Sequence, residues 1–374
     1  MLFSAISGTI MRAVLTGLFI AAVWAAVLSP FSAQAQSQPL RSPFDVAAAR
    51  EARGQPAGYF SCPSAPKAAK DLQFGGYYAD RGAGSSVVDK QAEAAYREAT
   101  RAINKFQADL TVMADRYVAS KPADAKFAAC ALDWLADWAA AEAMLGRVSD
   151  QGGYVRKWGL APISASYLKI RDESALDAAK KQAVEAWIKR YANTVYRDYD
   201  PEQKESRRNN HVYWAAWSVG LASVVLDDKK LFDWSMDKAR LGLRQVTTEG
   251  ILPLELARKS RAYHYHVFAA APLVMVAELG LRNGVDLYQD RDGALKRLVG
   301  LVLANFDDDS FFAQKTGVKQ DRSGSGKPSH FPWLEPYYAH TKDPAAAKLI
   351  AKLRPMRETR VGGDLTMYYG VDLR

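Results

Sequence analysis

Strand-forming sequence is nearly missing from this chain. Alternating runs of β-branched residues do not occur, and the one short candidate is Leu365-Thr366-Met367-Tyr368-Tyr369-Gly370 near the C-terminus. This excludes a β or α/β fold and predicts an all-α protein. Cysteine is scarce too. Cys62 and Cys130 are the only two, without Cys-x-x-Cys or His-rich spacing, so neither metal nor cofactor is expected. The formal charge is +9, yet no single Lys/Arg run dominates. Plain solubility charge would account for the excess, as would a polyanionic partner; among polyanions a polysaccharide or membrane surface fits better than nucleic acid.

Long apolar runs are equally few. One extends from Ala13 to Leu28 behind the lone charge of Arg12, and Ser32-Ala33-Gln34-Ala35 follows it. It falls short of the ~20 residues a membrane span needs and has small residues at an Ala-x-Ala site. Residues 1–35 therefore read as a secretory signal cut after Ala35. The alternative is a membrane anchor. No second apolar run of spanning length is recognised, so the mature chain is expected to be periplasmic or secreted, free of the membrane and monomeric. In that compartment Cys62 and Cys130 read as one disulfide tying the N-terminal segment to the first long helix, with two buried thiols as the alternative.

Residues 36–66 are polar, rich in Pro, Ser and Gly, and predict an irregular leader. Residues 67–374 predict one domain. It opens with a glycine-rich loop from Leu72 to Val88 that carries Tyr77 and Tyr78, either a mobile lid or a plain surface connection. Helical periodicity then covers Lys90 to Ala119, Phe127 to Leu145, Tyr154 to Ile170, Ala175 to Tyr199 and Trp214 to Leu226. It resumes over Lys229 to Val246, Tyr265 to Leu281, Leu295 to Leu303 and Pro344 to Leu353. Several of these segments are apolar on more than one face, as helices in two concentric layers would be.

Three polar clusters interrupt this pattern. Arg208-Asn209-Asn210-His211-Val212-Tyr213-Trp214 sits at the mouth of an apolar helix, where its amides would cap the helix and its aromatics would join the core, or where the group together forms a site. Arg258, Lys259 and Arg261 precede Tyr263-His264-Tyr265-His266. The i,i+2 spacing of His264 and His266 does not align two metal ligands on a helix. Trp333 and Tyr337 lie four apart, to stack on sugar faces or to pack.

These stretches resemble the polysaccharide lyases typified by periplasmic poly(mannuronate) alginate lyase. The resemblance rests on Asn209-Asn210-His211-x-Tyr213-Trp214, Leu252-Pro253-Leu254-Glu255 through Arg258, Arg261-Ala262 with Tyr265, and Cys130-x-Leu132-Asp133-Trp134-Leu135-x-x-Trp138. Gly284-Val285-Asp286-Leu287-Tyr288, Thr316-Gly317 with Gln320-Asp321, and Trp333-Leu334-Glu335-Pro336-Tyr337 complete it. It implies an incomplete (α/α) toroid with a cleft at one end, and β-elimination on an anionic uronate polymer, mannuronate-rich or glucuronate-containing.

Such a reaction removes the C5 proton beside a carboxylate, so the site must offset a second negative charge; Arg258 and Asn210 suit that role. The resemblance puts both proton transfers on Tyr265, with His211 neutralising charge or acting as base. Tyr77, Tyr78, Asn209, Tyr213, Trp214, Arg261, Trp333 and Tyr337 make up the expected substrate-binding set. One departure stands out: members of this family usually read Ser-Lys-Tyr at the lid, and here the residues are Gly76-Tyr77-Tyr78. Two rival readings remain. A glycoside hydrolase on the same toroid would draw on Asp133, Asp137, Glu255 or Glu335, and a non-catalytic polysaccharide-binding or export protein would use only the aromatics and the charge.

Overall fold

Helix starts in this protein are set by short polar side chains. Asp89, Asp124, Ser149, Asp177, Asn209, Asp228, Asp343 and Asp364 each accept a hydrogen bond from a first-turn backbone N–H, satisfying donors that have no partner inside the helix. The computed structural model describes residues 38–52, 54, 58–80, 86–120, 124–201, 208–308, 310–322 and 326–373. The expected signal segment and its cleavage site lie outside the described residues. The helices are α1 (Val46–Ala52), α2 (Lys90–Ala99), α3 (Arg101–Ala119), α4 (Ala125–Ala140), α5 (Asp150–Ile170), α6 (Ala178–Tyr199), α7 (Asn210–Leu226) and α8 (Lys229–Gln245). There follow α9 (Pro253–Leu256), α10 (Ala262–Arg282), α11 (Asp290–Ala304), α12 (Ser310–Thr316), α13 (Leu334–Thr341), α14 (Pro344–Leu353) and α15 (Leu365–Tyr369).

They form an (α/α) toroid. α3, α5, α7 and α10 pack side by side as an inner layer, and α4, α6, α8 and α11 lie outside them. The sequence explains this order. α7 is apolar around its whole circumference and buries all but its ends, as an inner helix must. Its Gly220 allows close approach to α8, since a Cβ there would meet Ser235 Oγ at 2.5 Å. α10 is apolar and long enough to cross a membrane, a run the sequence reading did not recognise, but 83% of that window is buried against neighbouring helices.

Several boundaries differ from expectation. The Lys90–Ala119 helix is two, α2 and α3, broken at Thr100, whose Oγ1 donates to the Tyr96 carbonyl at 2.9 Å and accepts from Asn104 Nδ2. The helix predicted to Leu145 stops at Ala140, after which Glu142 and Met144 take φ of 48° and 67°. The C-terminal strand candidate is α15, started by Asp364 accepting from Met367 N. Strand pairing among the described residues is limited to Arg357–Glu358 with Gly363–Asp364 and two isolated bridges. The leader is not irregular throughout, because it carries α1 and sends Phe44 into the core against Trp217 and Tyr368. Contacts join Pro39 to Arg374 in one compact unit.

Cys62 and Cys130 are disulfide-bonded, with Cα atoms 5.6 Å apart. Cys130 lies on α4, not on the first long helix. The indoles of Trp134 and Trp138, one and two turns further along α4, donate to the carbonyls of Pro63 and Pro66 at 2.8 and 2.9 Å. The leader is thus strapped to α4 at three points. Closing a loop of 68 residues contributes roughly 4 kcal/mol of chain entropy. Reduction is expected to lower the melting temperature by roughly 5–10 °C, read by differential scanning calorimetry with and without reductant. An unchanged transition would mean that the indole contacts alone hold the strap.

Candidate functional site

The cleft is assembled from the N-terminal ends of inner helices and from two loops. α5 offers Gln151, Tyr154 and Trp158, which follow one another at three- and four-residue steps along a single face. α7 offers His211 and Trp214. The turn before α10 offers Arg258 and Arg261, and α10 itself offers His264, Tyr265 and Phe268. The tyrosine loop and the C-terminal hairpin close the sides with Tyr77, Tyr78 and Arg360. Together they line a space of about 380 Å³.

Glu255 sets the relation between two of these elements. Its carboxylate accepts from Asn210 N at 2.7 Å and from Asn210 Nδ2 at 3.0 Å to each oxygen, all fully buried. The start of α7 is thereby locked to α9, and His211, the residue after Asn210, and Arg258, three residues after Glu255, face one cleft. A 3-10 turn over Lys259–Arg261 continues into α10. Gln320 holds this turn by accepting from Tyr263 N and donating to the Lys259 carbonyl, while Asp321 N donates to Ser260 O. This is the work of the Gln320-Asp321 motif.

Tyr265 is the most closely held group. Its hydroxyl lies 2.7 Å from that of Tyr78, and Arg261 Nη1 donates to Tyr78 at 3.3 Å. The Arg258 guanidinium lies 3.8 Å from the Tyr265 ring centroid. Burial pushes the Tyr265 phenol well above its ordinary range, and the Arg258 charge pulls against that. The described parts of the tyrosine loop are ordered by main-chain pairing of Tyr77 and Ala79 with Asp89 and Val87, and by Asp80 accepting from Ser86 N and Val87 N. Its glycine-rich middle, 81–85, lies outside the described residues. Tyr77 packs on Tyr96 at 5.1 Å and on Tyr78 at 4.8 Å.

Four donors beside this group are buried without an acceptor among the described residues: Arg258 Nε, Arg261 Nε, Trp158 Nε1 and Trp214 Nε1. Each such donor costs about 1–3 kcal/mol. Two of the four belong to Arg258 and Arg261, which make this end of the cleft cationic. Its own carboxylates are Glu93, paired with Arg97 at 2.8 Å, and Glu358.

Of the residues expected from sequence, Tyr265, His211, Arg258, Arg261, Tyr77, Tyr78, Trp214 and Trp333 meet at the cleft. Four do not line it. Asn210 spends both amide hydrogens on Glu255, so it positions rather than offers a donor. Asn209 is the α7 cap, accepting from His211 N at 3.0 Å. Tyr213 points the other way, to Gln245 Oε1 at 2.9 Å, and Tyr337 packs near Tyr288 and donates to Asp343. Residues missed were Gln151, Tyr154 and Trp158, whose spacing was a readable signal, and Arg360, which had none. Arg360 reaches the cleft because the buried Lys169–Asp115 pair, at 2.5 Å, holds the hairpin: Asp115 accepts from Asp364 N and Tyr368 Oη, and Lys169 donates to the Gly362 carbonyl. Gly362 and Gly363, at φ 108° and 105°, lie too close to Phe44 and Asp115 for any Cβ.

Asp133 and Asp137 are exposed on the outer helix α4, Glu255 serves Asn210, and Glu335 is buried in a bidentate pair with Arg354. None of these four carboxylates lines the cleft, which removes the basis of the hydrolase reading. Among the described residues no three His, Cys, Asp or Glu side chains gather as metal ligands. An (α/α) toroid with a cationic, aromatic cleft is the scaffold of a polysaccharide lyase.

Comparison with known proteins agrees. Residues 76–312 match the family model described as alginate lyase. The chain is 35% identical over 305 residues to an alginate lyase of Pseudomonas fluorescens (strain SBW25), covering 80% of this chain and 81% of that one. It is also 35% identical over 305 residues to one of Cobetia marina, covering 80% of each. Its fold superposes on a Tyr-to-Phe variant of alginate lyase A1-III complexed with tetrasaccharide, an enzyme from Sphingomonas species A1, with a TM-score of 0.79 and 22% identity over 89% of this chain and 97% of that one. The chain belongs to the alginate lyase family.

The same turn explains a pH limit on stability. His266 is wholly buried, accepting from Leu252 N on Nε2 and donating to the Ala262 carbonyl from Nδ1, which fixes α9 to α10. Burial pushes its pKa down from 6.5 to about 4, and burial with nearby Arg261 pushes His264 to about 3. Below pH 6.5 the unfolded chain takes up protons that the folded chain refuses, so stability falls with pH. Urea unfolding at pH 4.5 should show a loss of roughly 2 kcal/mol from His266 relative to neutrality. His266→Gln, less stable at pH 7, should lose correspondingly less on acidification.

Proposed function

We propose that this protein cleaves an anionic uronate polymer, mannuronate-rich alginate or a glucuronate-containing chain, by β-elimination to give 4,5-unsaturated uronate ends. The observation carrying this reading is the cationic, aromatic setting of Tyr265, with Arg258 3.8 Å over its ring and Arg261 donating to Tyr78 beside it, a charge that a polymer of carboxylates would match. The related A1-III enzyme holds a tetrasaccharide in Tyr-to-Phe and His-to-Ala variants, and a cleft built on Tyr265 and His211 suits such a ligand.

The C5 proton becomes acidic only when its neighbouring carboxylate is neutralised. Arg258 and His211 serve that purpose, with Asn210 holding them in place through Glu255. The Tyr265 phenolate takes the proton, the C5–H electron pair becomes the C4–C5 double bond, and the C4–O pair leaves with the glycosidic oxygen. Tyr265 then returns its proton to that oxygen and is regenerated. One residue can do both because C5–H and C4–O share a ring face in mannuronate and in glucuronate. A merely binding protein has no use for a tyrosine pair at 2.7 Å under an arginine. The Cys62–Cys130 disulfide supports an oxidising compartment, periplasmic or extracellular, in which the chain acts as a soluble monomer.

Tyr265→Phe is expected to bind polymer with a KM within about threefold of wild type while kcat falls roughly 10³-fold or more, followed by the ultraviolet absorbance of the unsaturated product. Retained turnover would take the elimination away from Tyr265. No absorbing product from any uronan would end the lyase reading.

Tyr77 bears on which sugar is cleaved. It places a ring where members of the family usually carry lysine, exchanging a charge contact for a stacking face. Activity is expected on a glucuronate polymer as well as, or in place of, polymannuronate. Tyr77→Lys should move the ratio of kcat/KM values toward polymannuronate by roughly tenfold, about 1.4 kcal/mol. A wild type confined to polymannuronate, with a ratio unmoved by the substitution, would show that this position does not read the sugar.

A further inference from the structure

One buried cation next to the cleft has no part in the reaction as described. Lys157, on α5, is completely buried, and its Nζ lies 3.0 Å from His211 Nδ1. The ring centroids of Trp158, Tyr154 and Tyr199 lie 3.9, 4.7 and 5.6 Å from the same nitrogen. Aromatic faces favour the ammonium over the neutral amine. Tyr154 also stacks flat on the His211 ring, with centroids 3.9 Å apart and planes 9° from parallel, which fixes the plane of the imidazole.

We infer that Lys157 is a positioning residue that holds His211 as the tautomer protonated on Nε2. An ammonium gives protons and has no lone pair to accept one. Nδ1 must therefore present its lone pair, and the single ring proton of neutral His211 resides on Nε2. A second proton on the ring would set two cations 3.0 Å apart.

The functional consequence rests on the lyase reading above. With Nε2 protonated, His211 meets a uronate carboxylate as an N–H donor and has no lone pair for the C5 proton. Mannuronate and glucuronate do not need one, since Tyr265 performs both transfers. Guluronate does, because its C5 proton lies on the opposite ring face. There an unprotonated Nε2 would take the C5 proton, the C5–H pair would form the double bond, and the departing C4 oxygen would take the Tyr265 proton. Lys157, by claiming the ring's one acceptor, withholds that route and makes the site selective against guluronate.

The test is two-bond ¹H–¹⁵N correlation spectroscopy on the full mature chain, with its five histidines labelled and assigned, beside absorbance assays on polymannuronate and polyguluronate. Wild-type His211 should show the Nε2–H pattern. Lys157→Met should populate both tautomers, lower kcat on polymannuronate roughly tenfold with KM within about twofold, and raise the polyguluronate-to-polymannuronate turnover ratio roughly tenfold. Lys157→Arg, which keeps a cationic donor, should restore tautomer and ratio. An Nδ1–H pattern in the wild type overturns the inference, even where Lys157→Met does not fold; so does a folded Lys157→Met with tautomer and ratio unchanged. A wild type that yields no absorbing product defeats the lyase reading alone, because the spectrum still decides the Lys157 contact.

Discussion

The site depends on one buried carboxylate. Glu255 takes three hydrogen bonds from Asn210, one of them from a backbone N–H in the first turn of α7, where the helix dipole favours negative charge. Without it the buried amide would lose its acceptor, and the start of α7 would lose these three bonds to α9. His211 follows Asn210 directly, and Arg258 follows Glu255 by three residues. Their convergence on one cleft is a property of this contact more than of either side chain.

The other buried charges have the same character. Lys169 with Asp115 secures the hairpin that carries Arg360, and Glu335 with Arg354 secures the chain below it. In each pair one partner, Lys169 or Glu335, is fully buried and the other is half-buried, and such a pair is not in itself a source of stability, because desolvation offsets much of the attraction. What these pairs provide is geometry. Each sits where an irregular segment must be held against the helical layers, and Gly362 and Gly363 allow the hairpin to lie close enough for its carbonyls and amides to reach them. The toroid gives walls, and the ion pairs aim the loops.

How much of this was legible follows from range. The inner helices could be read because an all-round apolar composition is local information, and the His211 and Tyr265 clusters because polar residues break that composition abruptly. What failed was direction. His211 and Trp214 are three apart and share a helix face, whereas Tyr213 is turned about 100° from Trp214 and faces α8 instead. Tyr337 lies four residues after Trp333, yet Trp333 is the α13 cap and not within the helix, so the expected shared face does not exist. Arg360 could not be found from its neighbours, since its place is decided by Asp115 and Lys169 far away in the sequence. The α15 error has a local cause: Leu365-Thr366-Met367-Tyr368-Tyr369 has strand-like composition, but Asp364 caps its first turn and tertiary contacts decide the rest.

The proposed reaction asks a buried phenol to serve as a base. Burial works against the phenolate of Tyr265, and the arrangement around it works the other way. Arg258 supplies a positive charge against the ring face. Arg261 donates to Tyr78, and once Tyr265 has lost its proton the Tyr78 hydroxyl can only donate to the Tyr265 oxygen, so two cations act on that oxygen, one directly and one through a hydroxyl. A phenol with a raised pKa is also the stronger base once it has lost its proton and the better match to a weakly acidic C5–H. In the proposed reaction the same hydroxyl then gives that proton to an alkoxide leaving group. Burial thus tunes the base strength, and the arginines limit the cost of the charge. Tyr78 links the two from a loop, and a position on a loop is where such a link can form and release as polymer enters and leaves.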